Sequence, residues 1–322
     1  YGGVSVLRFS DLMSISGGMT VPVGIDESEA PVLFDFEKSP HLLISGATGT
    51  WKSVIVDNIL LALISHNKPE QLKMILCDTK MIEFAAYNGV PHLMIPVCAS
   101  PDKISEALAF ADYEISKRLH AFASTGQKDL SKYNDYMWVN FLNDAGIPRI
   151  IIVVDDLSET VSNPENAQYI RRILQNGRAA GVHLIAVTQT PTWKSAKEIS
   201  IMIRPKIALS FASKSEESAL IGTKRDFLID EIGFGVFSPC GIPEKVKIIP
   251  RLDSDRDSLI RVAKNLCSEN CKRDSPESLT TSPQLQKGRE PVRDCAIDED
   301  MFTEAVDVVN CNTVISHNKE NI

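Results

Sequence analysis

The chain has 322 residues, 43% of them hydrophobic and 24% charged, ordinary proportions for a soluble globular protein with room for one α/β domain plus extensions. Its net charge is −8, from 34 Lys and Arg against 42 Asp and Glu, which excludes a broad basic surface that coats itself with nucleic acid but not a few cations lining a pore. No apolar run reaches the ~20 residues that cross a bilayer, and no signal peptide is visible, so a cytoplasmic portion without a membrane span is expected.

The chain begins at Tyr1 rather than Met, as expected of a fragment or a processed product whose upstream anchor, if any, is not part of it. Residues 1–38 read as a strand-rich extension, with short strand-like runs at Val4–Phe9 and Pro31–Phe36 around a turn-rich centre, Ser16-Gly17-Gly18 and Asp26-Glu27-Ser28. From 39 to 265, apolar runs alternate with helical stretches. His41–Ser45, Lys73–Cys77, Arg149–Val154, His183–Thr188 and Lys206–Phe211 are short, continuous and apolar, as strands buried on both faces should be. Ser100-Pro101 reads as the N-cap and first residue of a helix whose apolar residues Ile104, Leu108, Ala111, Ile115 and Leu119 fall 4, 3, 4 and 4 apart. A second helix starts at Asn163-Pro164 and runs through Ile170, Ile173 and Leu174 towards Gly177. This alternation predicts βαβ units: a mostly parallel sheet flanked by helices.

Beyond that, residues 266–300 are rich in Ser, Pro, Glu, Lys and Arg without periodicity and read as a flexible linker, followed by a short apolar helical stretch, Met301–Val309. The cysteines (Cys77, Cys98, Cys240, Cys267, Cys271, Cys295 and Cys311) are odd in number and dispersed, which reads as reduced thiols. Cys267, Cys271, Cys295, Cys311 and His317 match no zinc ribbon or finger spacing, and no zinc is expected.

Chemistry concentrates at three strand ends. The first is Gly46-Ala47-Thr48-Gly49-Thr50-Trp51-Lys52-Ser53, which follows the strand His41–Ser45 and opens a helix through Val54, Ile55, Ile59 and Leu60. Strand, loop and helix in that order are what a phosphate loop needs: backbone N–H groups and the helix start cradle phosphates, Lys52 reaches the β and γ phosphates, and Ser53 holds Mg²⁺. Trp51 stands where the second glycine belongs. Glycine there lets backbone approach phosphate with no Cβ in the way, so an indole is expected to crowd the loop or force it open, which implies impaired nucleotide binding and hydrolysis or, alternatively, a loop remodelled around a stacked indole.

The second strand end is Asp155-Asp156, closing the apolar run from Ile150 to Val154. Asp155 fits a Mg²⁺-holding carboxylate on a strand beside the phosphate-loop strand, and Asp156 fits a general base that polarises water, one methylene shorter than a glutamate. A plain cap on a strand-to-loop turn is the alternative for both. The third is Thr188-Gln189, where Gln189 at a parallel strand's carboxyl end would sense the γ phosphate. A strand exit before Pro191 would look the same.

With these elements in order the chain resembles the motor domain of the FtsK/SpoIIIE family of DNA translocases over roughly residues 20–250. The resemblance is carried by Pro40–Gly49, Asp78-Thr79-Lys80-Met81-Ile82-Glu83, Tyr87-Asn88-Gly89-Val90-Pro91-His92-Leu93, and Gly177–Ile185 leading into Thr188-Gln189. It implies a RecA-like P-loop motor that binds ATP and Mg²⁺, assembles as a homo-hexamer and threads double-stranded DNA through the ring to move chromosomes or plasmids, in cell division, sporulation or conjugation. Carried over position by position, Lys52 and Ser53 match the nucleotide and metal ligands, Asp155 the strand-end aspartate and Gln189 the sensor. Asp156 stands where the family has glutamate, Trp51 where it has glycine and Thr79 where it has proline.

For the arginine that ring ATPases take from a neighbour, Lys117-Arg118 and Arg178 are the candidates, with a solvated helix-end cation as the plain reading of Arg118. Residues 301–322 faintly resemble the start of the family's winged-helix domain and stop before a recognition helix. Two other readings share the core: a catalytically silent ring subunit or scaffold, to which Trp51 and Asp156 point, and a secretion ATPase that moves protein.

Overall fold

The computed structural model describes residues 7–141, 146–189, 194–210, 231–239 and 243–273. Among them lie nine strands, β1 (Thr20–Ile25), β2 (Pro31–Asp35), β3 (His41–Ser45), β4 (Leu72–Cys77), β5 (Arg149–Val154), β6 (Val182–Thr188), β7 (Lys206–Leu209), β8 (Phe234–Ser238) and β9 (Glu244–Lys247). The helices are α1 (Phe9–Ile15), α2 (Lys52–His66), α3 (Pro101–Ser124), α4 (Leu130–Phe141), α5 (Leu157–Thr160), α6 (Pro164–Ala180), α7 (Lys194–Met202) and α8 (Asp253–Arg273).

The strands form one sheet in the order β2-β1-β9-β8-β7-β3-β6-β5-β4. The block β7-β3-β6-β5-β4 is parallel, and the remaining strands extend it antiparallel from β7. The parallel strands are apolar without interruption because each feeds two cores at once. Leu42, Ile44, Met74, Leu76, Ile151, Val153, Ile185 and Val187 face α2 and α8. Leu43, Ile75, Ile150, Ile152, Val154, Leu184 and Ala186 face the core built with α3, α6 and α7. Period-2 alternation is therefore present but hidden, since both faces are dry.

Helix ends follow the sequence signals. Ser100 Oγ accepts from Lys103 N at 3.3 Å at the start of α3, and Asn163 Oδ1 accepts from Glu165 N at 2.9 Å at the start of α6. The second helix runs past Gly177 to Ala180, where Gly181 at φ 70° supplies the left-handed exit. Gly177 stays in the helix because its missing Cβ admits the Val182 carbonyl, which a Cβ would meet at 2.4 Å.

Three expectations are corrected. The described part of the run Val4–Phe9 is not a strand: Phe9 opens α1, whose Phe9 and Leu12 are buried at helical spacing. The run Pro31–Phe36 holds strand β2, as read, but the turn-rich centre also holds a strand, β1, which Pro22 and Gly24 mask in sequence; Gly24 is needed there because a Cβ would lie 2.4 Å from Lys247 O. The strand read as Lys206–Phe211 is Lys206–Leu209, with Phe211 outside the described residues. Helix α8 continues to Arg273, into the stretch whose composition suggests a linker; the rest of that stretch, Met301–Val309 and the side chains of Cys267 and Cys271 lie outside the described residues, as do Cys295, Cys311 and His317. Cys77 and Cys98 are buried free thiols. No helix among the described residues is long and apolar enough to cross a membrane.

Candidate nucleotide site

The parallel ladders bring Ser45, Cys77, Val154, Thr188 and Leu209 to one edge, so the residues that follow them share a crevice at the carboxyl ends. Those residues are the loop 46–53, Asp78, Asp155 and Gln189. The loop is pinned at its base by Gly46 N donating to Thr188 O at 3.3 Å and Ala47 N to Ser210 O at 2.8 Å. Gly49 takes φ 80°, and Thr50 Oγ1 closes the turn on Ala47 O at 2.7 Å. Gly46 must be glycine, since a Cβ would lie 2.9 Å from that of Leu209 and 2.7 Å from Thr50 Oγ1. Thr48 Oγ1 donates to Gln189 Oε1 at 3.0 Å, which ties the loop to the end of β6.

Lys52 opens α2 and folds its ammonium back into the loop, donating to Gly46 O at 2.9 Å and Ala47 O at 2.7 Å. Burial lowers its pKa from the ordinary lysine value, and the charge of Asp155 is the chief opposing influence. Lysine and aspartate thus lie within electrostatic reach, although the strands that carry them are not neighbours. The expectation that β5 lies beside the phosphate-loop strand is corrected: β6 runs between them and places Gln189 at the centre.

Burial, then the carboxylates of Asp78 and Glu83, push Asp155 up to about 6. A carboxylate raised in this way, together with the hydroxyl of the half-buried Ser53 at the start of α2, offers oxygen chemistry suited to a hard divalent cation. The loop's backbone, the first turn of α2 and the Lys52 ammonium suit phosphate oxygens. On donor chemistry the residues fit a magnesium nucleotide.

Asp156 has a structural job. Its carboxylate accepts from Glu159 N at 3.1 Å and caps α5, so of the two aspartates one joins the charged crevice and the other also serves as a turn cap. Thr79 Oγ1 donates to Glu159 Oε2 at 3.3 Å nearby. The stretch 78–83 contributes more than sequence reading assigned it. Asp78, 1% exposed, accepts from Lys80 N, Glu83 N and Phe84 N, folding the chain into a tight loop that holds Lys80 and Glu83 in the electrostatic field of Lys52 and Asp155. The signal was the short acidic and basic pattern itself, which carried only a resemblance.

Trp51 sits at φ 70°, ψ 24°, a left-handed residue at the N-cap of α2. The indole is expected to crowd the loop; instead it turns away, half-buried against the core and so close to Gly233 that a Cβ there would meet the ring at 2.7 Å. The left-handed backbone is what glycine would have supplied freely and costs a tryptophan roughly 1–2 kcal/mol.

The two arginine candidates separate. Arg118 is buried, 2% exposed, and is not a solvated cation: it donates to Glu114 Oε1 at 3.0 Å, Pro148 O at 2.8 Å and Ala180 O at 3.0 Å, sealing the carboxyl end of α6. Arg178 is exposed, beside Lys128, Arg149 and His183, at the amino edge of the sheet and far from its own chain's loop. The remaining shared stretch, 87–93, fastens rather than reacts. Tyr87 Oη donates to the buried Asp57 in α2, Lys73 Nζ donates to Pro91 O at 3.0 Å, and His92 Nε2 pairs with Asn67 O at 2.8 Å. Asp57 also holds Arg251, and Arg256 at 3.2 Å, which clamps the start of α8 to α2.

The FtsK/SpoIIIE family profile matches residues 14–193. Among curated proteins the chain is similar to the DNA translocase FtsK of Caldanaerobacter subterraneus subsp. tengcongensis, 33% identical over 272 residues, 82% of this chain and 37% of that protein. It is also similar to the DNA translocase SpoIIIE of Bacillus subtilis, 34% identical over 238 residues, 71% of this chain and 30% of that protein. The chain thus spans about a third of the length of such relatives. Among solved structures, the cytoplasmic domain of the Thermomonospora curvata type VII secretion ATPase EccC superposes with a TM-score of 0.71 at 22% identity, over 80% of this chain and 34% of that one. The pCW3 conjugation coupling protein TcpA, a monomer with ATPγS, gives 0.65 at 22% identity, over 76% and 70%. At such identities these two establish the fold alone, a P-loop α/β architecture.

Proposed function

This chain belongs to the FtsK/SpoIIIE family, and from that premise we propose that it is the ATP- and Mg²⁺-dependent motor portion of a translocase that moves double-stranded DNA. The observation that carries the reading is the convergence of Lys52, Asp155 and Gln189 on the loop 46–53 at one sheet edge. In this reading loop amides and Lys52 hold the triphosphate, Ser53 and Asp155 hold the metal, and Gln189 reports the γ phosphate to β6 through Thr48. Arg178, exposed at the opposite edge, suits a finger offered to the next copy, as a ring of identical subunits, a homo-hexamer, would require. Residues 39–265 then form the motor, preceded by the extension 1–38 and followed by a linker and a piece of a winged-helix domain. The cytoplasm is its compartment, and chromosome or plasmid movement, as in chromosome partition at cell division, is its task.

A second reading, a silent ring subunit with the same fold, is favoured by Asp156, whose carboxylate is engaged in capping α5, and by the tryptophan in the loop. ATP turnover by the purified chain with and without duplex DNA separates the two. A motor shows turnover stimulated by duplex and lost in Lys52→Ala; a silent subunit shows none. Stimulation by an unfolded polypeptide with no response to DNA would point to protein secretion instead.

A further inference from the structure

Beside the phosphate loop lies an open cavity of about 1060 Å³, walled mostly by apolar groups from α1, the start of β8, the segment after β9 and α8. Its volume is at the upper end of small-molecule sites, roughly 300–1000 Å³. Phe9, Met13, Phe234, Ile249 and Leu259 line it. At one end the wall is Trp51 itself. One residue is therefore both the last position of the loop before Lys52 and a face of the cavity, and its left-handed backbone is what turns the ring from the loop toward that space.

We propose that Trp51 is a base-stacking residue: the aromatic base of a nucleoside triphosphate held by the loop enters this cavity and stacks on the indole. Three features carry it. Trp51 is the one loop residue in the cavity lining, so the ring is where a nucleoside held by the loop would meet that space. An indole is a large π surface, and base-on-aromatic stacking accepts any base face while contributing a substantial share of affinity. The ring is also held in place, because the Gly233 backbone backs it and leaves it half-exposed to the cavity. The departure from glycine thereby becomes a gain of contact with the nucleoside rather than an obstruction of the phosphates.

This inference rests on the reading of residues 46–53 as a triphosphate loop, and the test separates the two. Calorimetric titration of the full chain with Mg²⁺-ATP and with Mg²⁺-tripolyphosphate, which has no base, is compared with the same titrations of Trp51→Gly and Trp51→Phe. Fluorescence is read in a Trp138→Phe, Trp193→Phe background. The expected result is a preference for ATP over tripolyphosphate of about tenfold or more, reduced several-fold in Trp51→Gly and largely kept in Trp51→Phe. Trp51 emission should change with ATP and not with tripolyphosphate. Equal affinity for the two ligands with unmoved emission overturns the stacking role and leaves the loop reading intact. So does an ATP preference undiminished in Trp51→Gly. Binding of neither ligand removes the loop reading and this inference with it.

Discussion

The indole of Trp51 rests on the backbone of Gly233, with no room for a methyl group between them: a Cβ on that glycine would sit 2.7 Å from the ring. Gly233 itself holds φ 88°, so two left-handed residues from distant parts of the chain brace one another. Replacing Gly233 by Ala adds both a clash and a backbone penalty, and is expected to lower unfolding free energy by about 2 kcal/mol or more. At position 51 the two terms come apart. Trp51→Gly loses packing and gains backbone ease, whereas Trp51→Ala loses packing and keeps the penalty. Urea unfolding should rank Gly above Ala by about 1 kcal/mol, and an Ala variant at least as stable as the Gly variant would contradict the left-handed assignment.

Asp155 is destabilised where it stands. Its pKa is raised to about 6, so between its unfolded value, 3.8, and 6 the native state holds more protons than the unfolded chain, and stability falls as pH rises through that window. At pH 7.5 the charged form is a burden. Asp155→Asn is expected to raise the melting temperature at that pH by a few degrees while removing Mg²⁺-dependent nucleotide binding. A variant that is less stable at pH 7.5 would refute this electrostatic account.

His41 and His183 predict the opposite slope. Burial lowers them to about 4 and about 3, so below 6.5 the unfolded chain takes up protons that the folded one refuses. Their contribution is fully present above 6.5 and is lost as pH falls towards 4 and then 3. Leu184 N donates to His41 Nδ1 at 3.1 Å and His183 Nδ1 meets Pro40 O at 3.1 Å, so the neutral rings are built into the amino ends of β3 and β6. Between pH 7 and pH 5, denaturation midpoints should fall by an amount equivalent to about 2–4 kcal/mol, partly offset by Asp155. His183→Gln should flatten that slope; an unchanged slope would exclude the pair as its source.

Asp57, 4% exposed, answers Tyr87, Arg251 and Arg256 together. Removing the carboxylate leaves two guanidinium groups without their buried partner, and Asp57→Ala is expected to lose about 3–5 kcal/mol. Hydrogen exchange should show α8 losing protection ahead of the parallel strands. Uniform loss across the sheet would show that the clamp is not local.

The parallel strands and the edge they share were legible because burial on both faces writes an unbroken apolar run, and a phosphate loop writes its own spacing. Other features were not. β9 is Glu-Lys-Val-Lys with Val246 its one buried residue, and β1 carries Pro22 and Gly24, so neither has a pattern to read. Arg118 looks like any helix-end cation until the Pro148 and Ala180 carbonyls, far off in sequence, close around it. The direction of the Trp51 ring depends on Gly233 and a backbone angle, neither of which composition or periodicity records. Asp155 could be located from sequence, but its crowding by Glu83 depends on a loop shaped by three amides on Asp78.

Helix α2 begins at the loop and, a turn and a half later, carries the carboxylate that grips the root of α8. A small tilt at the loop end of α2 cannot stay there, because Asp57 is packed too tightly to let one helix slide without the other. Movement of the nucleotide loop is thereby passed to α8 as far as Arg273, through a carboxylate that both helices share.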